Sequence, residues 1–536
     1  MEGTENSKGS AADDFRCRRI NRAEPSYSSN KYWKNVRAKS MDLELKFKEI
    51  TGYEPTGDLV VTHEETMETA IPEYCPDLAR IVDSVGQIRL REKSLSDGRL
   101  TMSGSIRVTV LYTSEENPGL RSLSLSVPFS CRVEDKRDCE TISVESRLLL
   151  LEAKMLGARK LYVRALPEFR VGGYRKCARR LCTGVAEDVS LQLRRDQAVL
   201  PVLTDVWERE FNVAQEVPLD DGQDAELLMS RIFLRLTGCQ HFGSKLVIKG
   251  EAVLSLLMRG EGQELTSREL TMPFSQIIDG EDLPEDATFS CIARILEDEV
   301  HPVRTENGGG LGVTLRANLE VRTYQQQTVE YVADLYSTRY NTVATRQVIA
   351  IPAQQPPEDI RRDNVQRLEG SGAFVYMTAA DCTHPELTTG EGDRPVARST
   401  VHMKVLYLDE AGTPVVTERS GEVNAEMRQM PSSVEADVEP EVWQRSANGY
   451  EVRVPVLFRM NCGTEEEITA LTSAQQQEEI DRATMPSLVL RRLREGETLW
   501  DVAKQCKTEE QAILAANELE SGTETTDMLL LIPKVR

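Results

Sequence analysis

Five histidines are the first candidates for chemistry in this chain of 536 residues: His63, His241, His301, His384 and His402. A histidine that activates a Ser or Cys nucleophile works at hydrogen-bond range of it, and none of the five sits in a recognisable motif. His402 falls on an alternating apolar–polar run and reads as a half-exposed strand residue. Cys382 and His384 are close enough in sequence to touch a metal, but a zinc site needs a second ligand pair at similar spacing and the chain has none. Cys177 and Cys182 are five apart, with Cys177 inside the basic stretch Arg175–Arg180, a setting that activates thiols; a structural or incidental pair is the simpler reading. Gly308–Gly312 is glycine-rich, yet a phosphate cradle needs a helix directly after it to aim its N–H groups. The next residues, VTLRANLEV, are strand-like, so the run reads as a flexible hairpin loop. Carboxylates are too abundant throughout for a glycosidase pair to stand out. No catalytic residue, metal ligand or cofactor site is assigned, and the chain reads as non-catalytic.

A binding constellation is easier to find. After Pro486 comes a predicted strand, Leu488–Leu493, and then Gly496, Glu497, Thr498, Leu499 and Trp500 (GETLW). Leu499, Val502 and Ala503 share the i, i+3, i+4 face of a short helix, and Thr498 with Asp501 makes its N-terminal cap. Thr508 with Gln511 makes a second capping box, opening a helix that carries Ile513, Leu514 and Ala516 and should end at Asn517. Leu529–Pro533 is a last strand. Trp500 is either core or a partner-facing anchor.

The long stretch before this unit is strand-like. Ser96–Asp97–Gly98 separates two alternating runs, a strong hairpin signal. A pattern then returns. GSIRVTVLY begins at Gly104, with Pro128–Phe129 after it. GEAVLSLLM begins 146 residues on, at Gly250, with Pro273–Phe274 after it. STVHMKVLY begins 149 residues further, at Ser399, with Val423–Asn424 where the Pro-Phe pair stood. A period this long means serial domains. The expected fold class is therefore mainly β: three serial antiparallel sandwich-like or barrel-like repeats plus a small α+β (βααβ) domain. The expected boundaries are 41–180, 181–335 and 336–464 for the repeats, 465–487 for an acidic, Gln-rich linker with some helix, and 488–536 for the last domain.

Charge narrows the partners. The formal net charge of −22 argues against nucleic acid and against anionic membrane surfaces. Eleven cysteines, scattered singly, fit a reducing cytoplasm. The first 40 residues hold nine basic and five acidic side chains and few apolar ones, so they read as a disordered basic tail, or translation begins at Met41. No apolar signal core or membrane-spanning stretch is visible.

GETLW at Gly496–Trp500, Asn517 and Leu530–Pro533 resemble a LysM domain, with departures at Asp527–Met528 and Arg491. Ile71–Asp77 (IPEYCPD), Ile81, Gly104…Tyr112 and Pro128–Phe129 are similar to the SPOCS domain of spore coat assembly proteins. In the second copy the IPEYCPD segment is reduced to Val217–Asp221. The combination resembles the SipL-like group of spore coat morphogenetic proteins. That resemblance implies a non-catalytic scaffold in the mother-cell cytoplasm at the forespore surface. It also implies a LysM domain that docks to a coat morphogenetic partner similar to the stage IV sporulation protein A ATPase. In the LysM family a shallow groove lies between two loops; carried over, the partner- or glycan-binding residues are Gly496, Glu497, Thr498, Leu499, Trp500, Asn517 and Leu519. Peptidoglycan is the alternative partner, for a cell-wall or cortex protein using that groove on N-acetylglucosamine glycans; a hydrolase with a LysM targeting tail is a third possibility. No cofactor and no direct membrane insertion are expected.

Overall fold

The computed structural model describes residues 40–115, 119–186, 190–218, 225–260, 262–279, 283–305, 308–369, 374–494, 496–520 and 528–533. The tail expected over residues 1–40 (residue 40 aside), the segment Leu219–Asp221 and Asp527 lie outside them. Strand accounts for 77% and helix for 4%, and the sheets are antiparallel, so the fold class is mainly β as expected. No described helix is long and apolar enough to cross a membrane.

Asp97 and Gly98 both take positive φ, 51° and 70°, which a two-residue hairpin turn between twisted strands requires. They join Arg80–Ser96 to Arg99–Thr113, and Leu120–Glu134 completes a three-stranded meander. Alternation puts Leu100, Met102, Ile106, Val108 and Val110 on one face, all fully buried. That face packs on a second sheet of Leu45–Thr62, Glu65–Ala70, Thr141–Gly157 and Lys160–Val185, which contributes Leu161, Val163, Phe169 and Val171. Each such side chain stabilises by roughly 1.5–3 kcal/mol. The IPEYCPD loop buries Ile71 and Cys75 and projects Tyr74, 86% exposed; Arg159 holds it by donating to the carbonyls of Pro72 (2.8 Å) and Cys75 (3.1 Å).

Two further sheet pairs lie beyond. The second unit sets the meander Glu226–Phe242, Lys245–Arg259 and Leu265–Asp279 on a sheet of Leu191–Pro218, Thr288–Thr305 and Gly308–Ser337. The third sets Val375–Cys382, Glu386–Thr389, Pro395–Leu408 and Pro414–Glu426 on Glu358–Glu369, Ser433–Val438, Val442–Ser446 and Gly449–Asn461. The repeated sequence has a packing logic. Gly104 lies opposite Phe129, and Gly250 opposite Phe274. A Cβ on Gly104 would meet the Arg89 carbonyl at 2.1 Å and the Phe129 ring at 3.0 Å; on Gly250 it would meet the Phe274 ring at 2.4 Å. In the third unit Ser399 stands opposite Val423, so the bulkier strand residue faces the smaller partner.

Two segments depart from expectation. Gly463–Glu479, expected from residue 465 onward as a linker with some helix, is a strand paired with Tyr340–Gln354 and Met41–Asp42. Ile468, Ala470, Leu471 and Ala474 are buried; Glu and Gln on the outer face hid a half-buried strand. Gly308–Gly312, expected as a flexible loop, lies on the strand opposite Thr305–His301. There the missing side chain at Gly312 leaves room for His301, whose Nε2 would stand 2.8 Å from a Cβ.

The three units share cores. Leu111, Leu257 and Leu406, related by the same 146- and 149-residue offsets, are all fully buried in one cluster with Val85, Met229 and Tyr376. A second shared cluster joins Ile50, Leu181, Leu200, Val202, Val329, Ile351, Ile468 and Ala470. Polar links are as extensive. Glu320 and Arg322, 1% and 2% exposed, pair at 2.8 Å. Ser143 of the first unit donates to Glu320 (2.6 Å), and Arg322 donates to Asn461 of the third (3.2 Å). Arg147 reaches from the first unit to the Ala436 carbonyl of the third (2.6 Å). Arg231 of the second unit pairs with Glu441 of the third (2.8 Å), and Arg89 and Arg107 of the first with Asp298 of the second (2.7 and 2.6 Å). Breaking such a buried pair is costly even where forming it is near neutral, so these links resist separation of the units.

Candidate functional site

The last unit has the expected strand–helix–helix–strand order: Leu488–Arg492, helix α1 (Leu499–Cys506), helix α2 (Glu510–Ala516) and Leu529–Pro533. Thr498 caps α1 reciprocally with Asp501, as expected. Its buried face carries Val502 and Ala503, and α2 contributes Ile513. The second capping box does not form. Glu509 is the N-cap residue of α2 and makes no side-chain cap bond. Thr508, fully buried, instead donates to the Pro533 carbonyl (2.8 Å), tying the helix connection to the last strand.

Trp500 settles as core. It is 7% exposed and stacks edge-on against Tyr336, ring centroids 4.8 Å apart. Tyr336 belongs to the long strand Gly308–Ser337 of the second β unit. The Trp500 indole N–H donates to Asp334 (2.9 Å), and Lys504 donates to both oxygens of the same carboxylate (2.7 Å each). Burial would raise the Asp334 pKa, but these bonds outweigh it and hold the carboxyl below its ordinary value. The Tyr336 hydroxyl donates to the Thr508 carbonyl (2.7 Å). The last domain is therefore seated on the β body through one aromatic pair and one shared carboxylate.

The other expected site residues divide by role. Gly496, with φ of 80°, makes an exposed turn. Glu497 pairs with Arg491 and accepts from the Arg494 N–H (3.3 Å). Leu499 and Leu519 pack half-buried on the Trp500 cluster. Asn517 turns inward: it donates to the Ile513 and Leu531 carbonyls and accepts from the Leu531 N–H, all at 2.7 Å. It braces α2 to the last strand and commits both its side-chain N–H groups and its carbonyl oxygen to the backbone. Asn517→Ala should cost about 2–3 kcal/mol, because it leaves the Leu531 N–H unsatisfied, and should lower the melting temperature of this unit in circular dichroism.

The strands of this unit also form an outward surface that the motif residues do not include. Leu490 pairs with Leu531, and Arg492 with Leu529, so these residues share the face opposite buried Leu530 and Ile532. Leu488, Leu490 and Leu529 are 52%, 62% and 61% exposed. The strand alternation of two short apolar runs is the sequence signal for it.

Elsewhere the candidate groups are held structurally. Cys382 is buried, and burial pushes its thiol up to about 12. Burial, with Arg147 and Arg170 nearby, brings His384 down to about 4, although Glu168 lies 3.2 Å away. A lowered histidine adds stability that is complete above pH 6.5 and lost as the pH falls toward 4. That loss should be roughly 2–3 kcal/mol, and His384→Gln should flatten the stability profile across this window in urea titrations. Burial also raises the thiols of Cys177 and Cys182, which disfavours reactive thiolates there. Among the described residues no group of three or more His, Cys, Asp or Glu could hold a metal. A cleft of about 560 Å³ between the first two units is lined by Arg89, Arg91, Arg107 and Arg316, but each of these pairs with Asp298 or Glu297.

No curated protein and no solved structure matches the chain. Residues 492–523 match the LysM domain family, which covers both helices, the Trp500 anchor and the Asn517 brace. The seated strand–helix–helix–strand unit is a C-terminal LysM domain.

Proposed function

We propose that the chain is a non-catalytic scaffold of spore envelope assembly, brought to the forespore surface when its LysM domain docks on a coat morphogenetic protein similar to the stage IV sporulation protein A ATPase. The spore assignment rests on the SPOCS-like repeats. The observation that carries the scaffold reading is the seating of Trp500 on Asp334 and Tyr336, which makes the LysM domain a fixed part of the β body. The exposed Leu488–Leu490–Leu529 face suits a protein partner, since apolar patches of this kind mark protein–protein contacts. The second reading, binding of N-acetylated glycans such as peptidoglycan, is favoured by the LysM family match itself.

A fluorescent fusion tracked through sporulation tests the proposal. The intact chain should encircle the forespore. Leu490→Lys with Leu529→Lys changes only exposed residues and should leave the fusion folded but diffuse. An unchanged ring would reject the docking face. Strong retention of the intact chain and of this variant alike on purified sacculi would favour the glycan reading.

A further inference from the structure

Cys239 and Cys291 are 52 residues apart in sequence and belong to facing sheets of the second unit, on strands Glu226–Phe242 and Thr288–Thr305. Their sulfurs are 3.5 Å apart, with the Cys291 thiol donating to Cys239. The alignment is fixed by the next inward pair along the same two strands, since the His241 and Phe289 rings lie 5.5 Å apart. Both cysteines are free and half-buried at the edge of a cluster of Phe211, Ile248, Phe274 and Val321, so a small oxidant can reach them.

We propose that Cys239 and Cys291 are a redox pair that a peroxide converts into a disulfide stapling the two sheets of the second unit together. The Cys239 sulfur, as thiolate, attacks one peroxide oxygen; the O–O bond breaks, the sulfur becomes a sulfenic acid, and the other oxygen leaves as water after taking a proton. The Cys291 thiol then attacks the sulfenic sulfur, the S–O bond breaks, and a second water leaves with the Cys291 proton. Two thiols and one hydrogen peroxide thus become one disulfide and two waters, with both sulfurs oxidised and the peroxide reduced. The sulfurs need to close only from 3.5 Å to about 2.0 Å. The hydrogen bond from Cys291 lowers the Cys239 thiol, the direction that favours attack, whereas burial raises those of Cys131, Cys139, Cys177, Cys182 and Cys382.

The test treats the purified full chain with hydrogen peroxide, alkylates the remaining thiols and maps the peptides by mass spectrometry. The expected result is one dominant crosslinked peptide joining Cys239 to Cys291. It should come with a rise in Tm of roughly 3–5 °C that dithiothreitol reverses. Cys291→Ser should lose both the crosslink and the rise, and should leave Cys239 as a sulfenic acid that dimedone traps. The proposal is overturned if both cysteines stay alkylatable after peroxide, if Cys239 bridges to a different cysteine, or if it over-oxidises to sulfinic acid with Cys291 still free.

Discussion

Trp500→Ala should loosen the LysM domain from the β body without unfolding the body. Replacing a buried tryptophan by alanine costs about 3–5 kcal/mol through lost contacts and the cavity left behind. Here it also removes the edge-on contact with Tyr336 and the indole bond to Asp334. Because the LysM domain is small and its core converges on Trp500 (Leu493, Val502, Ala503, Ile513, Leu530 and Ile532 surround it), that loss is comparable to the stability such a domain has. Calorimetry should show an early transition detached from the main one. Limited proteolysis should release a fragment beginning near residue 488. Tyr336→Phe is the graded control. It keeps the ring contact and removes only the hydroxyl bond to the Thr508 carbonyl, an effect of about 1 kcal/mol. Equal behaviour of the two variants would mean that the aromatic pair is not the anchor.

Glu320→Gln should act on the whole body instead. Burial alone would raise the Glu320 carboxyl, but Arg322 and Arg294, with the hydrogen bond from Ser143, hold it at about 2. A depressed carboxylate contributes stability above its unfolded pKa of about 4.5, and that stability is lost as the pH falls toward 2. The difference is on the order of 3 kcal/mol. Glutamine keeps the shape but leaves Arg322, 2% exposed, with only the more distant Glu435 carboxylate (3.9 Å) as counter-charge, and removal of one partner from a buried pair costs about 3–5 kcal/mol. Urea titrations should therefore show a large loss at pH 7. They should also show a stability profile below pH 4.5 that is flatter than that of the parent chain. Since Glu320 links all three units through Ser143, Arg322 and Asn461, the loss should appear in one cooperative transition.

Much of this architecture is readable where the information is local. Asp97–Gly98 marks its hairpin because both turn residues tolerate positive φ. The strand–helix–helix–strand order of the last domain comes from the Thr498 cap, the apolar face Leu499–Val502–Ala503 and Asn517. The 146- and 149-residue offsets locate residues that meet in space, Leu111, Leu257 and Leu406. Contacts distant in sequence leave no such trace. Trp500 is legible as an anchor but its seat is not, because Asp334 lies 166 residues earlier on a strand of another unit. Thr508 looks like a cap because local spacing cannot reveal the Pro533 carbonyl that takes its hydroxyl. Gly463–Glu479 is hidden by Glu and Gln on its solvent face, where strand residues tolerate any polar side chain. The inward turn of Asn517 and the outward leucines of the LysM sheet likewise depend on which face the last strand buries.

The fixed seating of the LysM domain is tested most directly by nitrogen-15 relaxation of the deuterated full chain. Amides of Val502, Ile513 and Leu530 should tumble with the slow correlation time of the whole 60.2 kDa particle, matching those of Val321 and Val456 in the β body. Faster tumbling of the LysM amides, as of a small domain on a tether, would contradict the account.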